Sequence, residues 1–174
     1  VVLTTLRDGN TRYVLAELGM SGLLLFRGAK QALPQHTHFI LNLDGVEPEV
    51  RYWNARRFGR IHLYNRQELD RFLDSRYGLD PLIVSFKAFA AILRARKGRL
   101  KPLLMHQQVI AGIGNIYANE ILFDARLHPL RQADRLRSHE QLRLFASMTS
   151  ILRGAIAEGG SSIQNFKIPD GVRG

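Results

Sequence analysis

Apolar and polar residues alternate in short runs along the first third of the chain, and Asp-Gly pairs break the runs. "VVLTTL", the turn "RDGN" and "TRYVLAEL" make a hairpin signature, because Asp8-Gly9 supplies the positive φ angles that a tight turn requires. "LLLF", "HFILNL" and "EVRYW" continue the period of two, with Asp44-Gly45 as a second turn, and "NARRFGRIHLY" crosses an arginine-rich turn into another short strand. This pattern predicts an antiparallel β unit.

The period changes after Asn65. Asn65 and Glu68 have the spacing of a capping box, so "RQELDRFLDSRY" is expected to form a short helix. "YGLDPL", residues 77–82, carries Gly78 and Pro81 and is the expected link between domains. Phe86, Phe89, Ala90 and Leu93 recur at helical spacing behind Ser85. Ala118, Ile121, Leu122 and Ala125 stripe another helix, with Pro129 as its expected stop. Ser138 with Gln141 is expected to cap a longer helix that buries Leu142, Phe145, Met148, Leu152 and Ile156 and ends at Gly159-Gly160. The tail "SSIQNFKIPDGVRG" reads as loop. The expected fold is α+β, an antiparallel β-sandwich portion over residues 1–78 followed by an all-helical domain over 79–174.

Charge narrows the choice of partner. Lys and Arg number 25 against 15 Asp and Glu, and the isoelectric point is near 10.6, so a polyanion is the first partner to consider and nucleic acid the leading one. Arg94, Arg96, Lys97, Arg99 and Lys101 form a dense basic run suited to nonspecific, salt-sensitive attraction. No apolar stretch reaches the roughly 18 residues of a membrane span, and no export signal is evident, so an intracellular protein without membrane contact is expected. The absence of cysteine removes thiolate metal sites and cysteine nucleophiles. His36 and His38 are expected to alternate in a strand and project from one face, but two histidines without a third ligand make a poor metal site. No metal and no cofactor are therefore expected.

The stretch "VIAGIGNIYANEILFDARLHP" places Gly112, Gly114 and Asn115 directly before a helical stripe. Glycines there can adopt angles closed to other residues and let successive N–H groups converge at the positive end of a helix, which suits a phosphate. A plain connector between packed helices is the alternative. A dinucleotide site lacks its third glycine, and a P-loop lacks its Gly-Lys-Ser/Thr ending. A backbone phosphate of nucleic acid fits better.

The longer segment "KPLLMHQQVIAGIGNIYANEILFDARLHP" resembles the helix-two-turn-helix segment of the formamidopyrimidine-DNA glycosylase (Fpg/Nei) family. "LGMSG" at 18–22, "HTH" at 36–38, "RRFG" at 56–59 and "GGSSIQNF" at 159–166 occur in the family's order, so the resemblance covers essentially the whole chain. It departs at His106, where the family usually has an aspartate. The resemblance implies that Met20, Arg56 and Phe58 fill the void left by an extruded nucleotide: Met20 enters the gap, Arg56 bonds the orphaned partner base and Phe58 wedges between neighbouring bases. It also implies that His36, Lys101, Gly114, Asn115 and, more weakly, Tyr117 hold the DNA backbone. Each of these residues has an ordinary alternative, as core, turn charge or surface cover.

Methionine in "LGMSG" together with "RRFG" resembles the Fpg branch, which removes oxidised purines such as 8-oxoguanine. Family catalysis uses an N-terminal proline whose secondary amine attacks C1′, with a glutamate and a lysine assisting. None of these is identifiable here, and the family's zinc ribbon is not seen either. The chain is therefore expected to bind damaged double-stranded DNA as a monomer, with no catalytic residue of its own and no excision activity alone. A non-catalytic module that binds DNA or RNA phosphates is the competing expectation.

Overall fold

The computed structural model describes residues 1–7, 9–19, 21–28, 30–43 and 46–160. Met20, Asp8, Asp44-Gly45 and the tail from Ser161 onward lie outside the described residues. The period-two segments pair as two three-stranded antiparallel sheets. β1 (Val2–Arg7), β2 (Asn10–Glu17) and β6 (Arg60–Tyr64) form one in the order β1-β2-β6. β3 (Gly22–Arg27), β4 (Thr37–Leu43) and β5 (Val46–Asn54) form the other in the order β3-β5-β4.

The central strands carry the buried side chains. Val14, Leu15 and Ala16 of β2 are consecutive and all buried, the pattern of a strand covered on both faces. On β5 the buried run is Val50, Arg51, Tyr52 and, at its end, Asn54, which is fully enclosed. The sheets approach each other at Gly59. A Cβ there would collide with the Tyr52 hydroxyl of β5 and lie 2.5 Å from the Glu17 carbonyl of β2, so the position has no room for a side chain.

The helices begin as the capping pattern requires. Before α1 (Arg66–Arg76), the Asn65 N–H donates to Glu68 Oε2 at 2.8 Å and the Glu68 N–H to Asn65 Oδ1 at 2.9 Å, a reciprocal box. One compact unit takes in Val1–Asp70 and a second is Arg71–Ala157. Residues 77–82, read from sequence as a link, are tied into the second unit. The Gly78 N–H donates to the Gln107 carbonyl and the Leu79 N–H to that of Val109, and Leu79 in turn accepts from Ala111.

The second unit contains α2 (Phe86–Ala95), α3 (Leu100–Leu104), α4 (Asn115–Asp124), one 3-10 turn (Ala133–Arg135) and α5 (Ser138–Ala157). Phe89, Leu93, Leu100, Leu104, Ile113 and Ile121 are wholly buried together with Leu144 and Met148 of α5. Phe145 packs its ring against Phe86 and Phe89, with centroids 5.6 and 5.5 Å away.

Three sequence expectations are corrected. Pro129 does not stop α4. Arg126 takes the left-handed conformation (φ 51°), and the Leu127 N–H donates to the Leu122 carbonyl while the Arg126 N–H donates to that of Phe123, a Schellman ending. In α5, Phe145, Met148 and Leu152 face the core as expected, whereas Leu142 and Ile156 are exposed and Leu144 is buried, because the buried stripe enters the helix at Gln141 and Leu144. The cap of α5 also differs: Glu140 Oε2 accepts the Arg137 N–H at 2.7 Å, and Gln141 Nε2 donates to the buried Leu136 carbonyl.

That backbone hydrogen bond holds the Glu140 carboxyl below its ordinary 4.5, with Arg131 at 3.5 Å adding to the effect. A depressed carboxyl stabilises the fold above its unfolded pKa and loses that contribution as pH falls through the folded value. Glu140→Ala should therefore lower unfolding stability by about 1 kcal/mol at neutral pH, the usual size of a lost cap. Chemical denaturation of both proteins should show the gap closing at pH values below about 4.

Candidate nucleic-acid interface

Arg56 and Phe58 sit on the loop joining β5 to β6, and the guanidinium carbon of Arg56 lies 5.8 Å from the centroid of the Phe58 ring. Phe58 is 65% exposed, unusual for a phenylalanine, so the ring is presented rather than packed. The loop does not stand alone. Gly19 lies directly beside it: a Cβ on Gly19 (φ 64°) would be only 3.0 Å from the backbone carbonyl of Phe58.

The side chain of Asn54 joins the two loops. Its Oδ1 accepts from Ser21 Oγ at 2.8 Å, the Arg57 N–H at 3.1 Å and the Arg56 N–H at 3.2 Å. Its Nδ2 donates to the Tyr52 hydroxyl at 2.6 Å and to the Leu18 carbonyl at 3.4 Å. Every hydrogen-bonding direction of this buried amide is used, which a site without solvent requires.

His36 belongs to a third loop, between β3 and β4, and here the structure departs from the sequence reading. His36 lies before β4 with φ 71°, and His38 is the extra residue of a bulge, since Thr37 pairs with Trp53 and Phe39 with Tyr52. The two rings therefore do not project as strand neighbours. His38 Nε2 donates to the Asn54 carbonyl at 2.9 Å, whereas the His36 ring stands edge-on to Trp53 at 6.3 Å. Arg51 shapes this loop from beneath: Nη1 donates to the Ala32 carbonyl (3.0 Å), and Nη2 to those of Gln31 (3.0 Å) and Gly28 (3.2 Å). Trp53 Nε1 adds a bond to the Gln35 carbonyl at 2.6 Å.

In the helical unit, two successive turns connect α3 to α4. The first is closed by the Val109 and Ile110 N–H groups on the His106 carbonyl, so the residue that departs from the family pattern acts there through its backbone and keeps an exposed side chain. The second is held by Gln107. Its Oε1 accepts the Gly112 N–H at 2.8 Å, and its Nε2 donates to the Met105 and Ile113 carbonyls at 2.9 Å. Gly112 has the expected left-handed backbone (φ 82°), but Gly114 does not: its φ of −100° is open to any residue, and a Cβ there would meet nothing within 4 Å.

Gly114 is the N-cap of α4 and offers no side-chain acceptor, and the first turn contains no acidic residue. The leading N–H groups of the helix therefore receive no side-chain cap from position 114, and exposed Asn115 stands at the positive end of the helix dipole. A phosphate would cap that end. Lys101, half-buried on α3, supplies a cation in the same unit, and Tyr117 is half-buried against the helical core, so part of its surface serves packing.

Among the described residues no three His, Asp or Glu side chains converge. No described helix is long and apolar enough to cross a membrane.

An α+β chain in which two turns lead into an uncapped, glycine-fronted helix is a helix-two-turn-helix protein. Residues 77–167 match the formamidopyrimidine-DNA glycosylase H2TH domain, and residues 1–61 match the formamidopyrimidine-DNA glycosylase N-terminal domain. The chain belongs to the formamidopyrimidine-DNA glycosylase family.

It is 41% identical over 169 residues to the formamidopyrimidine-DNA glycosylase of Roseiflexus sp. (strain RS-1), covering 96% of this chain and 61% of that protein. The Chloroflexus aurantiacus enzyme is 40% identical over 159 residues, covering 90% of this chain and 56% of its own length. Among solved structures, the MutM (Fpg) protein of Thermus thermophilus superposes with a TM-score of 0.85 at 34% identity, over 99% of this chain and 64% of that one. Lactococcus lactis Fpg in complex with abasic-site DNA gives 0.83 at 26% identity, over 98% and 66%. The chain spans about three fifths of the length of the curated relatives it matches.

Proposed function

We propose that this chain is the lesion-sensing and strand-holding part of a base-excision-repair enzyme, a DNA glycosylase and abasic-site lyase that acts on oxidised purines in duplex DNA. The observation that carries this reading is the pairing of an exposed Phe58 and Arg56 on a loop tied through Asn54 to Leu18 and Ser21. Extruding a base costs a few kcal/mol in lost stacking and pairing, and the enzyme must offset it. Phe58 restores stacking as a wedge, Arg56 presents planar donors to the unpaired base, and Met20 takes the vacated space. Gly114 and Asn115 at the open end of α4, with Lys101 and His36, hold the sugar-phosphate backbone.

Related proteins support the substrate class. Lactococcus lactis Fpg has been solved with abasic-site and Fapy-dG DNA, and MutM with carbocyclic 8-oxo-G DNA. The base-expelling step is that of the family, attack on C1′ by an N-terminal secondary amine to give a Schiff base, and no residue of this chain is assigned to it. Val1 has a sheet role here: its amine donates to the Ala16 carbonyl at 3.0 Å and its carbonyl accepts from Ala16.

Fluorescence anisotropy with an abasic-analogue duplex and the same duplex intact tests the sensing role. The chain should prefer the abasic duplex by about tenfold, or about 1.4 kcal/mol; equal affinity at matched salt would instead identify a general phosphate binder. Borohydride trapping of the complete gene product on a lesion-bearing duplex tests the chemistry, and absence of a covalent adduct would exclude a lyase. Lys101→Ala should weaken both duplexes alike and reduce the slope of log affinity against log salt by about one.

A further inference from the structure

One residue touches all three segments that carry the sensing groups of the β unit. The Asn54 N–H donates to the His36 carbonyl at 3.0 Å, and the Asn54 carbonyl accepts from His38 Nε2. Its side chain, at the same time, holds Leu18 and Ser21 on one loop and the Arg56 and Arg57 N–H groups on the other. Side chains alternate across β5, so Arg51 and Trp53 serve the His36 loop while Tyr52 and Asn54 serve the other two. We infer that Asn54 is the positioning residue for lesion discrimination: it fixes the void-filling loops relative to the backbone-holding His36 without itself meeting DNA. This rests on the sensing role proposed above.

The physical reason is geometric. A wedge restores stacking only if it enters at the gap while the strand is held in register, and small displacements of a positioned group forfeit most of its effect. Asn54 is fully buried and has no surface to offer DNA, so its removal acts through the loops alone. Nonspecific attraction comes from surface cations and does not depend on that geometry.

The test compares the 174-residue chain with Asn54→Ala and Ser21→Ala, using an abasic-analogue duplex and its intact counterpart. Asn54→Ala should lower the preference for the abasic duplex by about fivefold or more while intact-duplex affinity changes by less than about twofold. Amide hydrogen exchange at Arg56 and Arg57 should accelerate by about tenfold, with the Leu15 and Val50 amides of the sheets unchanged. Ser21→Ala removes one partner of the amide and should give the same pattern at roughly a third of the size, which keeps the inference open to refutation if Asn54→Ala does not fold.

A folded Asn54→Ala protein with full preference would overturn the inference, as would a parallel loss on both duplexes or a Ser21→Ala protein with unchanged preference and exchange. If the unaltered chain shows no preference, the sensing role itself falls. The exchange rates at Arg56 and Arg57 then still report whether Asn54 fixes the loops.

Discussion

Replacing Arg51 with methionine should destabilise the β unit by about 3–5 kcal/mol, the range found when one partner of a buried ionic network is removed. Methionine fills much of the same space with an unbranched chain, but it donates nothing. The carbonyls of Gly28, Gln31 and Ala32 would each lose a partner, and the Glu49 carboxylate would lose the guanidinium Nε–H that faces it. Trp53 is the only tryptophan in the chain and bonds the same loop, so its fluorescence during denaturant unfolding reports the change directly. A shift of less than about 1 kcal/mol would mean that the loop keeps its shape without Arg51.

Phe58→Ala should behave in the opposite way. Because the ring is 65% exposed, its removal leaves no cavity, and stability should stay within about 0.5 kcal/mol of the parent. Aromatic stacking on a base is worth about 1–3 kcal/mol, so affinity for an abasic duplex should fall by about 5- to 150-fold, with a much smaller loss on intact duplex. Anisotropy titrations of both duplexes measure the split. An equal loss on both would reassign Phe58 to general contact, and no loss would remove it from the interface.

The sequence made some of this legible and hid the rest for physical reasons. The β1–β2 hairpin, the Asn65–Glu68 box and the α2 stripe are local, and each appears where its spacing indicates. The α5 register is not local: Leu142, Leu144, Phe145, Leu152 and Ile156 give the helix apolar residues on more than one face, and the neighbouring helices select among them. Arg126 as a left-handed helix ending carries no signal, since glycine or asparagine is the usual marker.

The interface shows the same division. Motif resemblance named Arg56, Phe58, His36 and Asn115, but not the groups that hold them. Asn54, Arg51 and Gln107 read as ordinary polar residues at a strand end, within a strand and before a turn. Their roles depend on partners 2 to 36 positions away, brought close only by the sheet pairing and the two turns. A spacing that expects His36 and His38 to share a strand face fails because a bulge and a positive φ intervene.

His36 and Arg57 hold left-handed backbone angles (φ 71° and 56°) while bearing full side chains, a combination that costs each about 1 kcal/mol or more. Glycine at either place would relax the chain, so selection for heat tolerance alone would drift toward it and erase the Arg57 guanidinium or the His36 imidazole, to which the proposed function gives a DNA contact. Thermostability screens on this protein are therefore best run with a DNA-retention counter-screen, since the strain stored at His36 and Arg57 lies in loops that the proposed function assigns to lesion sensing.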